Sequence, residues 1–222
     1  MMVSYPGSLK SPLQPWRTQA RKLLNYGFSL INNFSPWNKE NLPNPEVYRR
    51  GELFWITNAN LYCFTTMAFI YLHEFAHVAL NHFQIPRTEL SEGDVIRMEL
   101  EADCFAMTNF TEFVKGSGLP PVTGTYSIIS ALSALSFLGG TFIGGSHPDV
   151  DERLKRGLEF LNLPENEPNW GIACWTILEW QSQRGHLSIG VPDTKGKSLK
   201  DAFYDYLILI EGFKGKIRRA TQ

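Results

Sequence analysis

The feature that most constrains the fold is a long run, Leu61 to Phe83, that contains neither glycine nor proline. The run is mostly apolar and carries the pattern His-Glu-Phe-Ala-His at positions 73–77. An apolar run of this length without helix breakers is typical of a long, largely buried helix. Residues four apart lie on one face of a helix, so His73 and His77 can reach the same partner. Burial of imidazoles without partners is costly, and a shared metal ion removes that cost.

The same pattern is the ligand layout of zinc-dependent hydrolysis. Glu74 lies next to His73, where it can take a proton from a water molecule beside the metal. The alternative is that His73 and His77 are core histidines hydrogen-bonded to backbone groups. A metal site needs a third ligand, and the sequence has to supply one.

An acidic pair downstream can supply that ligand. Glu99 and Asp103 are four residues apart and share a helix face, so Glu99 can bind zinc. Asp103 can then accept the second ring N–H of one of the two histidines. The alternative is an ordinary exposed acidic face. Glu101 points to another face and is predicted to be solvated, and His82 is predicted to be a helix-end residue.

The residues beyond the motif argue against a three-histidine site of the kind found in one other class of zinc peptidases. In the HExxHxxGxxH pattern, Leu80 would have to be glycine and Phe83 would have to be histidine.

Three segments together resemble known metallopeptidases. HExxH followed by Glu99 and Asp103 resembles the gluzincin metallopeptidases, and the string Glu-Leu-Glu-Ala-Asp at 99–103 is similar to the E-x-x-A-D segment of the CAAX prenyl protease and HtpX-type families. Ser146 to Leu154 is similar to their downstream S-H-P-x-x-x-x-R-[IL] segment. The HEFAH core is also similar to that of the small Lit-type phage-exclusion peptidases. The resemblance covers roughly residues 65–160.

The resemblance implies a zinc endopeptidase. Its Zn²⁺ would be held by His73, His77 and Glu99, with Glu74 as the base. It also implies that His147 lies close to the metal, as a stabiliser of the oxyanion or as an extra ligand.

Two residues of this segment, His147 and Arg153, could instead have a purely structural role. His147 and Pro148 could instead begin a helix, with Asp149 as its N-cap. Arg153 is assigned to the surroundings of the site, although a purely structural role stays open for it.

The predicted fold is mainly α: a compact, zincin-like (minigluzincin) helical domain with at most a small β-element before the HExxH helix. That element would be Glu52 to Thr57, where an edge strand could bind an extended peptide. The alternative is that this segment simply leads into the long helix. We divide the chain into an N-terminal arm (1–15), a metallopeptidase domain (16–162) and a C-terminal helical extension (163–222) packed on the same domain.

Composition narrows the function and the location of the protein. The net charge is −1 and no long run has one sign, so nucleic-acid binding is not expected. The basic stretch Lys214 to Arg219 is predicted to be solvated. The first 14 residues contain no apolar signal core. Three cysteines form no disulfide framework and suit a reducing compartment, so we expect a cytoplasmic protein.

The uncharged segment Tyr126 to Ile143 is long enough to span a bilayer. Interrupting glycines and recurring serines favour a buried helix beneath the site instead, so membrane association is not favoured. The leading interpretation is an endopeptidase that cleaves a protein or peptide substrate, in phage exclusion or regulated proteolysis. A peptide or protein activator is compatible with it. A catalytically silent zinc module that binds a partner protein and a membrane-associated protease are the alternatives.

Overall fold

The chain folds into helices. The computed structural model describes residues 14–40, 42, 47, 50–139, 143, 147–184 and 189–220, and these contain no strand. The mainly α prediction is therefore confirmed. The helices are α1 (Gln14–Asn32), α2 (Leu53–Ala79), α3 (Glu92–Ser117), α4 (Pro121–Gly139), α5 (Val150–Leu161), α6 (Pro168–Arg184) and α7 (Leu199–Ala220).

Two compact units divide the chain, residues 1–59 and residues 60–222. In the first unit, α1 is followed by a chain segment that folds back, because the Tyr26 hydroxyl donates to the Ser35 carbonyl at 2.8 Å. The Tyr26 ring also packs edge-on against Trp37. Most of the predicted N-terminal arm, residues 1–13, lies outside the described residues. The second unit contains all the candidate site residues.

The small strand expected at Glu52 to Thr57 is not formed. Glu52 ends a short 3₁₀ turn that begins at Arg50, and Leu53 already belongs to α2. Aromatic and β-branched residues favour strands only where they can pack on the half-buried face of a sheet. Here no glycine or proline separates the segment from the long helix, and the helix simply starts earlier.

α2 is much more exposed than its composition predicts. Its buried residues form one narrow stripe: Thr65, Phe69, His73 and Ala76. On the opposite side Phe64, Tyr71 and Phe75 are 71%, 66% and 56% exposed. The prediction of a largely buried helix is therefore wrong. Burial of an apolar helix depends on the neighbours that the fold provides, and these cover only the stripe that carries His73.

α2 also ends before the predicted boundary. Its last residue is Ala79, and Asn81 has a left-handed backbone with φ of 59°. Asparagine tolerates this conformation better than most residues, and it commonly ends helices. The chain then makes a 3₁₀ turn over His82–Gln84. This turn directs the residues after α2 back toward the helix end.

α3 has well-defined ends that place its acidic residues. Ser91 accepts a hydrogen bond from the Asp94 backbone N–H, and Asp94 accepts one from the Ser91 N–H, which is a capping box. Gly118 closes the helix with φ of 73°. Between these ends the buried face includes both Glu99 and Asp103.

α4 lies at the centre of the second unit and packs against α3, α5 and α6, while α7 packs on α6. α5 approaches α4 so closely that a methyl group at Gly157 would overlap the Leu132 side chain. Two buried hydroxyls of α4 have partners on neighbouring helices. Ser127 lies 2.6 Å from Thr65 of α2, and Ser133 lies 2.8 Å from Thr176 of α6.

Two helical stretches, Arg50–Ala79 and Pro121–Leu138, are long and apolar enough to cross a bilayer by length and composition. Half of the second stretch is buried inside the protein, as expected for a core helix, whereas 11% of the first is buried. The core helices of soluble proteins meet the same criteria. The length and composition of these two helices are therefore weak evidence for a membrane span.

Candidate metal centre

Three side chains from α2 and α3 meet at one point. His73 Nε2 lies 3.4 Å from Oε2 of Glu99, and His77 Nε2 lies 3.6 Å from Oε1 of the same carboxylate. One ligand atom from each residue can be chosen so that all lie within 4.8 Å of one another. The buried stripe of α2 faces the buried face of α3 here, so the two predicted helix faces do come together. This group could hold a metal ion.

The donor set fits a divalent metal. Ligand atoms at about 2.0–2.2 Å from a tetrahedral zinc ion lie about 3.3–3.6 Å apart. The two nitrogen–oxygen distances fall in this range, each to a different oxygen of the Glu99 carboxylate. Oε2 of Glu99 is buried and accepts no hydrogen bond from any described residue. A buried carboxylate oxygen without a donor is costly, and a cation would satisfy it.

Behind His73 lies a fully buried chain of charged groups. Its Nδ1 is 2.9 Å from Oδ1 of Asp103, although the approach is too oblique for a well-formed hydrogen bond. Arg153 of α5 holds the Asp103 carboxylate with both arms, Nε to Oδ2 at 2.8 Å and Nη2 to Oδ1 at 2.5 Å. The predicted partner of Asp103 was one of the two histidines, and in the structure it is His73. Arg153 in turn binds Asp103.

These contacts shift the pKa values of the group. Burial alone would lower the pKa of His73, but the carboxylates of Asp103 and Glu99 outweigh it and raise the pKa to about 9. Burial alone would raise the pKa of Glu99, but the contact with His73 and the positive field of His147 lower it. Glu99 is therefore ionised at neutral pH, as a metal ligand must be.

Two exposed residues, Glu74 and His147, lie near the group. Glu74 is exposed, and its charge acts on both His77 and Arg153. His147 Nε2 lies 3.8 Å from Oε2 of Glu99, with its side chain 49% exposed. Ser146, at the start of the same sequence segment, lies outside the described residues. Both exposed groups are thus within reach of a molecule that approaches from solvent.

A cavity of about 220 Å³ opens beside His147. Leu135 and Leu138 of α4 line one side, and Pro148 and Val150 line the other. The cavity walls are therefore largely apolar next to the exposed imidazole.

Two residues near the centre make contacts that the sequence did not predict. Glu101 is exposed, as expected, and it also contacts Arg97 and His82. His82, expected at a helix end, lies in the turn after α2 and contacts His77. A helical projection places His82 about 140° round the helix axis from His77. The projection fails here because it assumes a regular helix through Asn81, whose backbone is left-handed.

Comparison with known proteins identifies the family. The family model described as Peptidase U49 matches residues 7–173, a range that includes every candidate site residue and ends within α6. Searches of curated proteins and of solved structures find no match. The family match covers well over half of the 222 residues. The chain therefore belongs to the peptidase U49 family, and the protein is a peptidase.

Proposed function

We propose that the protein is a zinc-dependent endopeptidase in which His73, His77 and Glu99 hold the metal. The observation that supports it most directly is that both histidines converge on the Glu99 carboxylate. One oxygen of this carboxylate is buried and accepts no hydrogen bond from the described residues. The arrangement is of the gluzincin kind, since one helix supplies both histidines and the next supplies the glutamate. The family match supports the peptidase part of the proposal.

The residues around the centre suit hydrolysis of a peptide bond. A zinc ion held there would supply Lewis-acid chemistry, lowering the pKa of a water molecule to about 7 and polarising a carbonyl. Glu74 accepts a proton from the attacking water and delivers it to the leaving amine. His147, exposed near the group, stabilises the negative charge that develops on the carbonyl oxygen. Asp103 and Arg153 hold His73 in place.

The substrate and the setting are also proposals. We propose a protein or peptide substrate whose extended chain crosses the face that carries Glu74 and His147. Regulated proteolysis in the cytoplasm, of the phage-exclusion type, with a peptide or protein activator, is consistent with the resemblance of the HEFAH core. Similarity to the CAAX prenyl protease and HtpX-type families is restricted to the short segments quoted above.

The Glu74→Gln variant tests the proposal. It leaves the three ligands intact, so the zinc content should stay at that of the wild type. Loss of the base should slow cleavage by about 10²–10⁴-fold. Metal content is measured on the purified protein, and cleavage by proteome-wide detection of new protein termini after expression of each form.

The matched control is Glu112→Gln, which changes an exposed glutamate on α3 that pairs only at the surface with Lys115. It should cleave like the wild type. Wild-type cleavage by Glu74→Gln would refute the role of Glu74. A zinc-loaded wild type that produces no new termini would favour the catalytically silent alternative.

A further inference from the structure

A chain of polar contacts runs from His77 to the protein surface. His82 is 9% exposed, and its Nδ1 lies 2.9 Å from Nδ1 of His77. Its other nitrogen, Nε2, lies 3.1 Å from Oε2 of Glu101. Arg97 donates from Nη1 to Oε1 of that carboxylate at 2.9 Å. We call these contacts from His77 through His82 and Glu101 to Arg97 the His82 relay.

The chemistry of imidazole gives the relay one direction. A neutral imidazole has one nitrogen that donates and one that accepts. The Glu101 carboxylate only accepts, so Nε2 of His82 carries the proton of that ring and donates to Glu101. Nδ1 of His82 is then the acceptor, and Nδ1–H of His77 donates to it. This leaves Nε2 of His77, which faces Glu99, with a lone pair that could bind a metal.

The local backbone explains why His82 is available for this contact. After α2 ends at Ala79, the left-handed Asn81 turns the chain into the His82–Gln84 turn. The turn is closed by the backbone bond from Gln84 N–H to the Asn81 carbonyl at 3.1 Å. The imidazole of His82 is thereby returned to the ring of His77, with 5.0 Å between ring centroids.

The two histidines of the centre are thus supported differently. His73 is backed by a carboxylate and a guanidinium that are both nearly inaccessible, with side chains 6% and 5% exposed. His77 is backed first by an imidazole and only then by a carboxylate and a guanidinium, which are 44% and 57% exposed. Behind each histidine there is thus a carboxylate bound by an arginine: Asp103 with Arg153 behind His73, and Glu101 with Arg97 behind His77.

We propose that His82 is a positioning residue that holds His77 as the Nδ1–H tautomer, with Nε2 turned toward His73 and Glu99. The consequence for metal binding rests on the proposed function above, whereas the tautomer does not. Loss of a group that orients a metal ligand typically lowers metal affinity 10–100-fold. Because the outer end of the relay is exposed to water, we expect about a tenfold loss, at the lower end of that range.

The first experiment measures zinc affinity of the purified full chain by competition with a chromophoric chelator. His82→Leu removes the acceptor for His77 and should bind zinc about tenfold more weakly. His82→Asn places an amide oxygen near the position of Nδ1, so it should recover most of the affinity. Glu101→Ala leaves the buried position intact, removes the next step of the relay and should show a smaller loss.

The second experiment needs no metal. Long-range ¹H–¹⁵N spectra of the metal-free chain report which ring nitrogen of His77 carries the proton, at a pH where the ring is neutral. The wild type and His82→Asn should show the Nδ1–H tautomer, and His82→Leu should lose it. Thermal unfolding of the metal-free variants identifies any that fail to fold, in which case Glu101→Ala and His82→Asn decide the question.

The two results separate the inference from the proposed function. A wild type that binds no zinc but shows the Nδ1–H tautomer at His77 would remove the zinc function and keep the positioning role. An Nε2–H tautomer in the wild type would overturn the inference. Wild-type zinc affinity in a folded His82→Leu or, if that variant does not fold, in Glu101→Ala would overturn it as well.

Discussion

Asp103 is the residue on which the buried side of the candidate centre depends. It contacts His73 and is held by both arms of Arg153, with almost no access to solvent. Burial alone would raise the pKa of this carboxyl, but the contacts with His73 and Arg153 lower it. Asp103 therefore stays ionised inside the protein, and its charge requires a permanent counterion.

Removal of that counterion should be costly even without metal. Arg153→Met leaves the Asp103 carboxylate buried with only His73, and breaking a buried pair in this way typically costs about 3–5 kcal/mol. We expect a loss of that size in the free energy of unfolding, measured by urea denaturation of the metal-free chain. Arg156→Met is the control, since this exposed pair with Glu152 on the same helix contributes about 0–1 kcal/mol. Equal losses in the two variants would contradict the counterion role.

At this scale, the three residues that meet in the candidate centre were predictable from the sequence, but not all of the residues that contact them. The pairs His73–His77 and Glu99–Asp103 follow from helical periodicity, because each spacing of four residues lies within one helix. The contact between His77 and His82 depends on the left-handed backbone of Asn81. It could not be predicted from helical periodicity, which applies only to residues within the helix.

At the scale of helices, α7 fixes the start of α5. Lys214 is almost inaccessible, and its Nζ lies 2.8 Å from Oδ2 of Asp149 and 2.9 Å from Oδ1 of Asp151. Asp149 precedes α5 without capping it through its side chain, so its carboxylate is free to bind the lysine. The prediction of a solvated basic stretch is wrong for Lys214. This ion pair anchors the chain two residues beyond His147.

The same ion pair predicts an alkaline pH dependence. Burial alone would lower the pKa of Lys214, but its bonds to Asp149 and Asp151 raise the pKa above the usual 10.5. A group whose pKa is raised by folding stabilises the fold below its unfolded pKa and loses that effect as the pH rises through the folded one. The wild type should therefore be more stable than Lys214→Met, by about 3 kcal/mol, up to about pH 10, and the difference should shrink above it.

Urea unfolding across this pH range checks the dependence. Lys216→Met, an exposed lysine on the same helix, should differ little from the wild type at every pH. A stability difference between wild type and Lys214→Met that stays constant to strongly alkaline pH would mean that the lysine charge is not the cause.

Helix existence was predictable because glycine and proline mark the boundaries, as with Gly118 after α3. The exposure of α2 was not predictable in the same way. An apolar run can be buried all round or along one stripe, and the choice depends on helices that are distant in the sequence. The serines of α4 were more informative, since their recurrence favoured a buried helix over a membrane span.

At the scale of the whole molecule, the helices beyond residue 162 complete the core of the second unit. Trp170 and Ile177 of α6 and Phe203 and Ile210 of α7 are fully or almost fully buried in one cluster with residues of α2 to α5. The family match ends at residue 173, so three of these four side chains lie beyond it. The C-terminal helices are thus part of the same hydrophobic core as the helices that carry the candidate centre.

A chain that stops at residue 162 should therefore fail to fold. Each large buried side chain contributes about 1.5–3 kcal/mol, and domains have net stabilities of only about 5–15 kcal/mol. We expect the truncated chain to be insoluble or rapidly degraded by added protease, while the full chain resists. A truncated chain with cooperative thermal unfolding and protease resistance would show that residues 163–222 are an independent addition.

The unequal surroundings of the two histidines bear on how an ion would enter and leave. His73 is enclosed by Asp103 and Arg153, whereas the groups behind His77 end in water. If these side chains hold an ion, as proposed above, a chelator would reach the less enclosed imidazole first. His77 would then be the first of the three side chains to release the ion, and His73 and Glu99 the last.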